Sequence, residues 1–473
     1  MSLLIKNGEV VTAERRFLSD VFCEGEEITR IGENLEVEAD EVIDARGKYV
    51  FPGFIDPHVH IYLPFMGTYS KDNYESASKA ALIGGTTTLI EMCCPSRLEE
   101  PLEAFHLWNS KAEGVSACDY TFHMGVTRFD ETAEAQLRTI VSDFGITSFK
   151  VFLAYKGAFG IDDWELYSTL RLAKELGVVV TAHCENADLV SETQKKLVSE
   201  GKTGPEWHEP SRPIAVEAEG CHHLMTFAEL TGAEVYVVHT SCIPAVEAIL
   251  AARGRGVKAG IETVIPYLVL DKTYAELPDF EGAKYVMSPP LRAKEHQDFL
   301  WDKLADGTVD TVGTDHAPFD FETQKHMGHP NPEKAVTADF QLRGEGADFT
   351  LIPNGIPSIE DRVNLLYTYG VVSGRIDLQR FVAVASTNAA KQFGLFPRKG
   401  ALEIGSDADI VVYDPNYEGK ISAATHSMNT DYSGFEGMPI KGRPSVVTVR
   451  GGVCVRDGSF VGRMGRGKLL KRG

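Results

Sequence analysis

The sequence has no stretch of about eighteen consecutive apolar residues, so nothing in it reads as a membrane-spanning helix. Its first residues, Met1-Ser2-Leu3-Leu4-Ile5-Lys6, lack the basic start and apolar run of a secretion signal. Positive charge is scarce: 47 Lys and Arg against 68 Asp and Glu leave a net charge of −21, which argues against non-specific binding to nucleic acid or anionic membrane. Paired cysteines are missing as well. Cys23, Cys93, Cys94, Cys118, Cys184, Cys221, Cys242 and Cys454 form no Cys-x-x-Cys motif and no disulfide-like framework. No internal repeat and no low-complexity segment is present. The expectation is a soluble cytoplasmic chain whose partner is a small molecule, with no nucleic-acid or membrane partner.

What is present is a regular alternation of short apolar runs and turn residues. At 473 residues the chain exceeds what one hydrophobic core usually supports, so one large and one small domain are expected. Residues 1 to about 50 carry β-like runs such as Leu3-Leu4-Ile5 and Val10-Val11, punctuated by Asn7-Gly8, Glu24-Gly25 and Arg46-Gly47. Asp409-Ile410-Val411-Val412-Tyr413, Ser445-Val446-Val447-Thr448-Val449 and Val453-Cys454-Val455 have the same character near the other end. The two ends are therefore expected to pair into one module.

Between them strand and helix patterns alternate, as in parallel βα units. Eight candidate strands run from Phe51 to His58, Thr86 to Met92, Cys118 to Val126, Ser148 to Leu153, Val178 to Cys184, Val235 to Thr240, Val257 to Val264 and Val309 to Thr314. Eight is the barrel number. A helix is expected over Asp163 to Leu176, with Gly177 placed to end it. The fold class expected is a TIM-type (β/α)8 barrel with a smaller β-sandwich domain built from both chain ends. The divisions are 1–51, 52–395 and 396–473.

In a parallel barrel the chemistry gathers at the C-terminal ends of the strands. The first candidate strand ends in His58-Val59-His60, the fourth carries Lys150, the fifth ends in His183, the sixth in His239 and the eighth in Asp315. Residues i and i+2 of a strand share a face, so His58 and His60 can reach one point. Taken singly, each histidine is ordinarily a core or rim residue, and an aspartate ordinarily a cap or turn residue. Lys150, between Phe149 and Val151, is different, because an unpaired ammonium inside an apolar strand is costly to bury. Grouped at one barrel mouth, these nitrogen and oxygen donors suit zinc or a similar divalent ion. Six are more than one tetrahedral ion needs, so a two-metal site is expected.

These residues also resemble a known family. Pro52-Gly53-Phe54-Ile55-Asp56-Pro57-His58-Val59-His60, Ser148-Phe149-Lys150-Val151-Phe152-Leu153-Ala154-Tyr155-Lys156, His183-Cys184-Glu185-Asn186, Ser288-Pro289-Pro290-Leu291-Arg292, Thr314-Asp315-His316-Ala317-Pro318-Phe319 and Ile352-Pro353-Asn354-Gly355 are similar to motifs of the hydantoinase and dihydropyrimidinase branch of the cyclic amidohydrolases. The resemblance implies that His58, His60 and Asp315 bind one metal and His183 and His239 the other. It also implies that Lys150, carboxylated on its amine, bridges both. Tyr155 would donate to the developing oxyanion, Asp315 would shuttle the proton, and Ser288 and Asn354 would hold the substrate's amide edges, mainly through backbone groups. Leu63, Phe65, Met66 and Phe159 are candidates for an apolar wall facing the ring substituent. A homotetramer is implied too.

One segment departs from the family pattern: between His326-Met327-Gly328 and Asp348-Phe349 the chain is long and rich in charge and proline, a candidate lid or subunit contact. The activity implied is hydrolytic opening of 5,6-dihydropyrimidines or 5-substituted hydantoins. Allantoinase and dihydroorotase are the alternatives within the same chemistry. Dihydroorotases place an arginine just after the His-x-His, whereas here Ile61-Tyr62-Leu63-Pro64-Phe65 follows. Collapsin-response-mediator proteins share the fold as non-catalytic scaffolds, but they lack the full ligand set.

Overall fold

The computed structural model describes residues 2–472. Its centre is a parallel barrel of eight strands: β1 (Phe54–Val59), β2 (Thr86–Cys93), β3 (Asp119–Gly125), β4 (Ser148–Phe152), β5 (Val179–His183), β6 (Val235–Val237), β7 (Ala259–Val264) and β8 (Thr311–Gly313). They lie side by side in chain order. Almost every residue of these strands is buried, because helices cover the outer face and side chains fill the inside. The expected helix forms at Asp163–Leu176: Asp162 and Glu165 cap its start reciprocally, and Gly177, at φ 69°, ends it in the left-handed conformation.

The barrel closes between its first and last strands. Asp315 N–H donates to the His58 carbonyl (3.0 Å) and His60 N–H to the His316 carbonyl (2.8 Å). Deeper in the same seam, the buried Arg362 donates to the carbonyls of Ile55 and Val312, each at 2.8 Å. Thr314 adds a hydroxyl bond to Asp56 at 2.7 Å.

The two chain ends build a second, nine-stranded mixed sheet, in which Tyr49–Pro52 pairs antiparallel with Ile410–Lys420. Ser2–Val11 pairs with three strands, Arg16–Glu24, Glu41–Asp44 and Tyr49–Pro52, so the sheet wraps around its own apolar cluster of Leu3, Val10, Val21, Val50, Ile410 and Val412.

Here the structure departs from the sequence reading, which takes Phe51 to His58 as one strand. The chain passes from one sheet to the other at Gly53. A Cβ on Gly53 would sit 2.1 Å from Thr87 Oγ1, so only glycine lets the two sheets approach at this crossing. Other strand limits differ by a few residues, and β6 stops at Val237, two residues short of His239.

Barrel and terminal sheet are tied by a buried charge cluster. Lys399 Nζ lies 2.6 Å from Asp119 at the start of β3, 2.7 Å from Asp409 and 2.9 Å from Asp407, and Arg450 also pairs with Asp119. Removing one member of a buried ion pair leaves an uncompensated charge. Lys399→Met is therefore expected to destabilise the protein by about 3–5 kcal/mol in urea unfolding, while a surface control such as Lys195→Met changes little.

Candidate metal centre

His58 is the last residue but one of β1, His60 directly follows the strand, and the barrel seam brings Asp315 alongside. His58 Nε2 is 3.3 Å from His60 Nε2 and 3.2 Å from Asp315 Oδ1, and His60 Nε2 is 3.1 Å from the same oxygen. The ligand atoms of these three buried residues lie within 4.8 Å of one another, a spacing that can hold a metal ion. A second pair stands beside them: His183 Nδ1 faces His239 Nε2 at 2.9 Å. The ring centroids of His58 and His239 are 5.3 Å apart, so all four imidazoles form one group.

The backbone bends to aim these side chains. His239 and Asp315 adopt left-handed conformations, φ 39° and 51°, which are strained for residues with a Cβ and concentrate at functional sites. Each lies just past the end of its strand, where the pleat gives way to the loop of the mouth.

Carboxylates behind the ring set their orientation. Glu262, in the middle of β7, accepts from His58 Nδ1 at 2.7 Å and from the His239 backbone N–H at 3.0 Å, while Tyr236 donates its hydroxyl at 3.1 Å. This leaves His58 Nε2 as the nitrogen free to ligate. Glu185 does the same for His183, taking Nε2 at 2.7 Å so that Nδ1 faces inward, and Arg212 pairs with Glu185 at 2.5 Å. Burial works against the Glu185 carboxylate, but Arg212 and His183 bring its pKa down to about 2. Burial also pushes the pKa values of His58, His183 and His239 below the ordinary histidine range, so their rings are neutral, as ligation requires. Asp315 is buried too, yet His58 and His60 outweigh that and hold its carboxyl below the usual range.

Lys150 projects from β4 into the same cavity. It is fully buried, and its Nζ has no hydrogen-bond partner among the described residues. Burial lowers its pKa, which favours the neutral amine. This unpartnered amine stands beside the four histidines and the Asp315 carboxylate, a donor set that fits a divalent metal ion.

The cavity is lined by polar and apolar groups. His60, Lys150, His183, His239 and Asp315 form its polar floor, and Tyr155, Ser288 and Asn354 stand to one side. Asn354 donates its side-chain amide to Ser288 Oγ at 2.8 Å. Burial raises the pKa of Tyr155, so its phenol keeps its proton. The apolar wall contains Leu63, Phe65, Phe152 and Phe159, with Phe65 stacked against Phe159 at 6.3 Å and edge-on to Tyr155 at 5.4 Å.

Met66 is not among the lining residues. Pro64–Phe65 and Thr68–Tyr69 form a tight hairpin, and Met66 and Gly67 occupy its two turn positions at φ 50° and 80°. Phe65 is thus presented to the cavity while Met66 turns at the tip. The candidate lid lies behind this hairpin: Val336 and Leu342 bridge to each other, and Ala338 approaches Gly67. Gln324 donates to Thr68 Oγ1 at 2.9 Å and to the Tyr69 carbonyl at 2.7 Å, holding the hairpin in place.

Sequence reasoning gave no role to Glu262, Glu185, Arg212, Phe152 or Ala317, all at or behind the cavity wall. Glu262 carries the same signal as Lys150, a charged residue inside an apolar strand.

The amidohydrolase family profile matches residues 49–454. The D-hydantoinase of Geobacillus stearothermophilus is 47% identical over 472 residues, covering 100% of this chain and 97% of that protein. The dihydropyrimidinase of Dictyostelium discoideum is 38% identical, covering 100% of this chain and 91% of that protein. The solved structure of a D-hydantoinase (dihydropyrimidinase) from Thermus sp. superposes with a TM-score of 0.94 at 65% identity and covers 99% of both chains. With its barrel, donor set and full-length relatives, the chain belongs to the amidohydrolase family, in the branch of the hydantoinases and dihydropyrimidinases.

Proposed function

We propose that the protein hydrolyses the ring amide of 5,6-dihydropyrimidines and 5-substituted hydantoins to give N-carbamoyl amino acids. The carrying observation is the convergence of His58, His60, His183, His239, Asp315 and the partnerless Lys150 on one cavity that also holds Tyr155, Ser288, Asn354 and an aromatic wall. Full-length similarity to proteins named D-hydantoinase and dihydropyrimidinase supports the same reading.

His58, His60 and Asp315 would hold one ion and His183 and His239 the other, zinc by the softness and number of the donors, with Lys150 as its N-carboxylate between them. Divalent ions there would supply Lewis acidity, making water acidic near neutral pH and polarising a carbonyl.

The remaining work falls to the chain's own groups. Ser288 and Asn354 hold the amide edge of the ring, and Leu63, Phe65 and Phe159 enclose its substituent and exclude water. Asp315 takes the proton from the attacking water as it adds to the ring carbonyl. The Tyr155 hydroxyl donates to the carbonyl oxygen as it gains charge. Asp315 then passes its proton to the departing ring nitrogen, and the C–N bond opens. In this reading residues 52–395 are the catalytic domain, and residues 1–51 with 396–473 are its support. All eight cysteines are buried free thiols. That suits a reducing cytoplasm, and a homotetramer completes the reading.

A panel of dihydrouracil, hydantoin, phenylhydantoin, allantoin and dihydroorotate tests the substrate class. Ring opening of the first three is expected; turnover confined to allantoin or dihydroorotate would replace the reading. For Lys150→Ala, most bound metal should be lost along with activity, measured by elemental analysis and ring-opening assay on one sample. A variant that kept near-full activity without added carboxylate would remove the bridging role. Asp315→Asn should retain part of the metal yet lose roughly 10²- to 10⁴-fold in turnover, the usual worth of a general acid–base group. Normal turnover would rule out the proton shuttle.

A further inference from the structure

Lys325 is fully buried and paired with no carboxylate among the described residues. Its Nζ donates to three backbone carbonyls: Val286 at 2.9 Å, Pro353 at 2.7 Å and Gly355 at 2.7 Å. Three acceptors match the three hydrogens of an ammonium, whereas a neutral amine would turn its lone pair on one of them. Burial pushes the Lys325 pKa well down; the geometry favours the ammonium, with three carbonyl oxygens within 2.9 Å of Nζ.

The carbonyls come from two segments far apart in sequence. Val286 stands two residues before Ser288, and Pro353 and Gly355 flank Asn354. The Gly355 N–H donates to the Val286 carbonyl at 2.9 Å, so the segments are already in contact and Lys325 locks them. Gly355 itself, at φ 151°, has no room for a side chain, since a Cβ would sit 2.2 Å from the Ala317 carbonyl oxygen.

Peptide geometry links this lock to the cavity. A peptide unit is planar and trans, so drawing the Pro353 carbonyl towards Lys325 turns the N–H of Asn354 the opposite way. That N–H donates to no group among the described residues, and Asn354 lines the cavity. Hydrogen bonding at the carbonyl end also polarises the unit and strengthens its N–H as a donor. On the other segment, His208 fixes the Met287 carbonyl at 2.8 Å and Lys325 that of Val286, so the two residues leading into Ser288 are both anchored.

We propose that Lys325 is a positioning residue for substrate recognition: its ammonium group, gripped by the carbonyls of Val286, Pro353 and Gly355, holds the backbone of Ser288 and Asn354 in register with the amide edge of the ring. Among the described residues its amine hydrogen-bonds to none of the residues assigned as metal ligands. The inference rests on the assignment of Ser288 and Asn354 as the grip on that edge.

The test is steady-state kinetics of metal-loaded Lys325→Met with dihydrouracil and hydantoin, with metal content and urea unfolding measured on the same samples. Loss of registered amide-edge bonds weakens ground state and transition state alike, so KM should rise roughly ten- to hundredfold while kcat stays within about threefold. Metal per chain should match the wild type. A KM within about twofold of wild type, or an unchanged KM with kcat and metal falling together, overturns the proposal. Should Lys325→Met fail to fold, Lys325→Gln decides: its two donors cannot span three carbonyls, so a several-fold rise in KM is expected and a wild-type KM overturns the role. A wild-type protein that opens neither ring overturns the functional assignment and this proposal together, whereas an active wild type with an unaffected variant removes Lys325 alone.

Discussion

The closure of the barrel between its first and eighth strands is the constraint on which the rest depends. His58 and Asp315 are far apart in the chain, yet the bond from Asp315 N–H to the His58 carbonyl makes them neighbours. A slip of one residue in that seam would turn His58 from the inner face to the outer one. Arg362, reaching both Ile55 and Val312, and Thr314, bonded to Asp56, hold the register from below. The metal-compatible cluster is therefore a product of barrel closure.

Around that seam the burial of charge is divided into separate tasks. Burial keeps the imidazoles of His58, His183 and His239 neutral, and the orientation of two of them is delegated to carboxylates one layer back, Glu262 for His58 and Glu185 for His183. Arg212 in turn neutralises Glu185, so the anion that steers His183 is itself held in place. Lys150 stands apart. It is a buried amine with no acceptor among the described residues, an arrangement too costly to persist unless another partner or a chemical change completes it. The apolar wall answers to different forces: the hairpin carrying Phe65 is pinned by Gln324 and packed by the segment after β8, so the shape of the ring-substituent pocket depends on loops, and the donor set on strands.

Much of this was legible in the sequence. All eight barrel strands lie within or overlap the apolar runs that suggested them, because strands buried on both faces need continuous hydrophobic sequence. The helix at Asp163–Leu176 agrees at both ends, where a capping box and a left-handed glycine are local chemistry. The single strand read through Phe51 to His58 divides at Gly53, because periodicity cannot tell which sheet claims each half; the nearness of Thr87 decides that. Met66 could not be separated from Phe65 by composition, since a two-residue turn alone determines which of them faces inward.

The sequence by itself determined the βα alternation, the apolar strands and the anomaly of a lysine within one of them. Through its resemblance to a known family it also pointed to the chemistry. Only the tertiary structure decided which groups stand together: the seam joining His58, His60 and Asp315, the supporting carboxylates Glu262 and Glu185, and the three carbonyls meeting at Lys325. The physical reason is that propensity and periodicity act over a few neighbouring residues, whereas these contacts join strands and loops separated by most of the chain. They exist only once the barrel has closed.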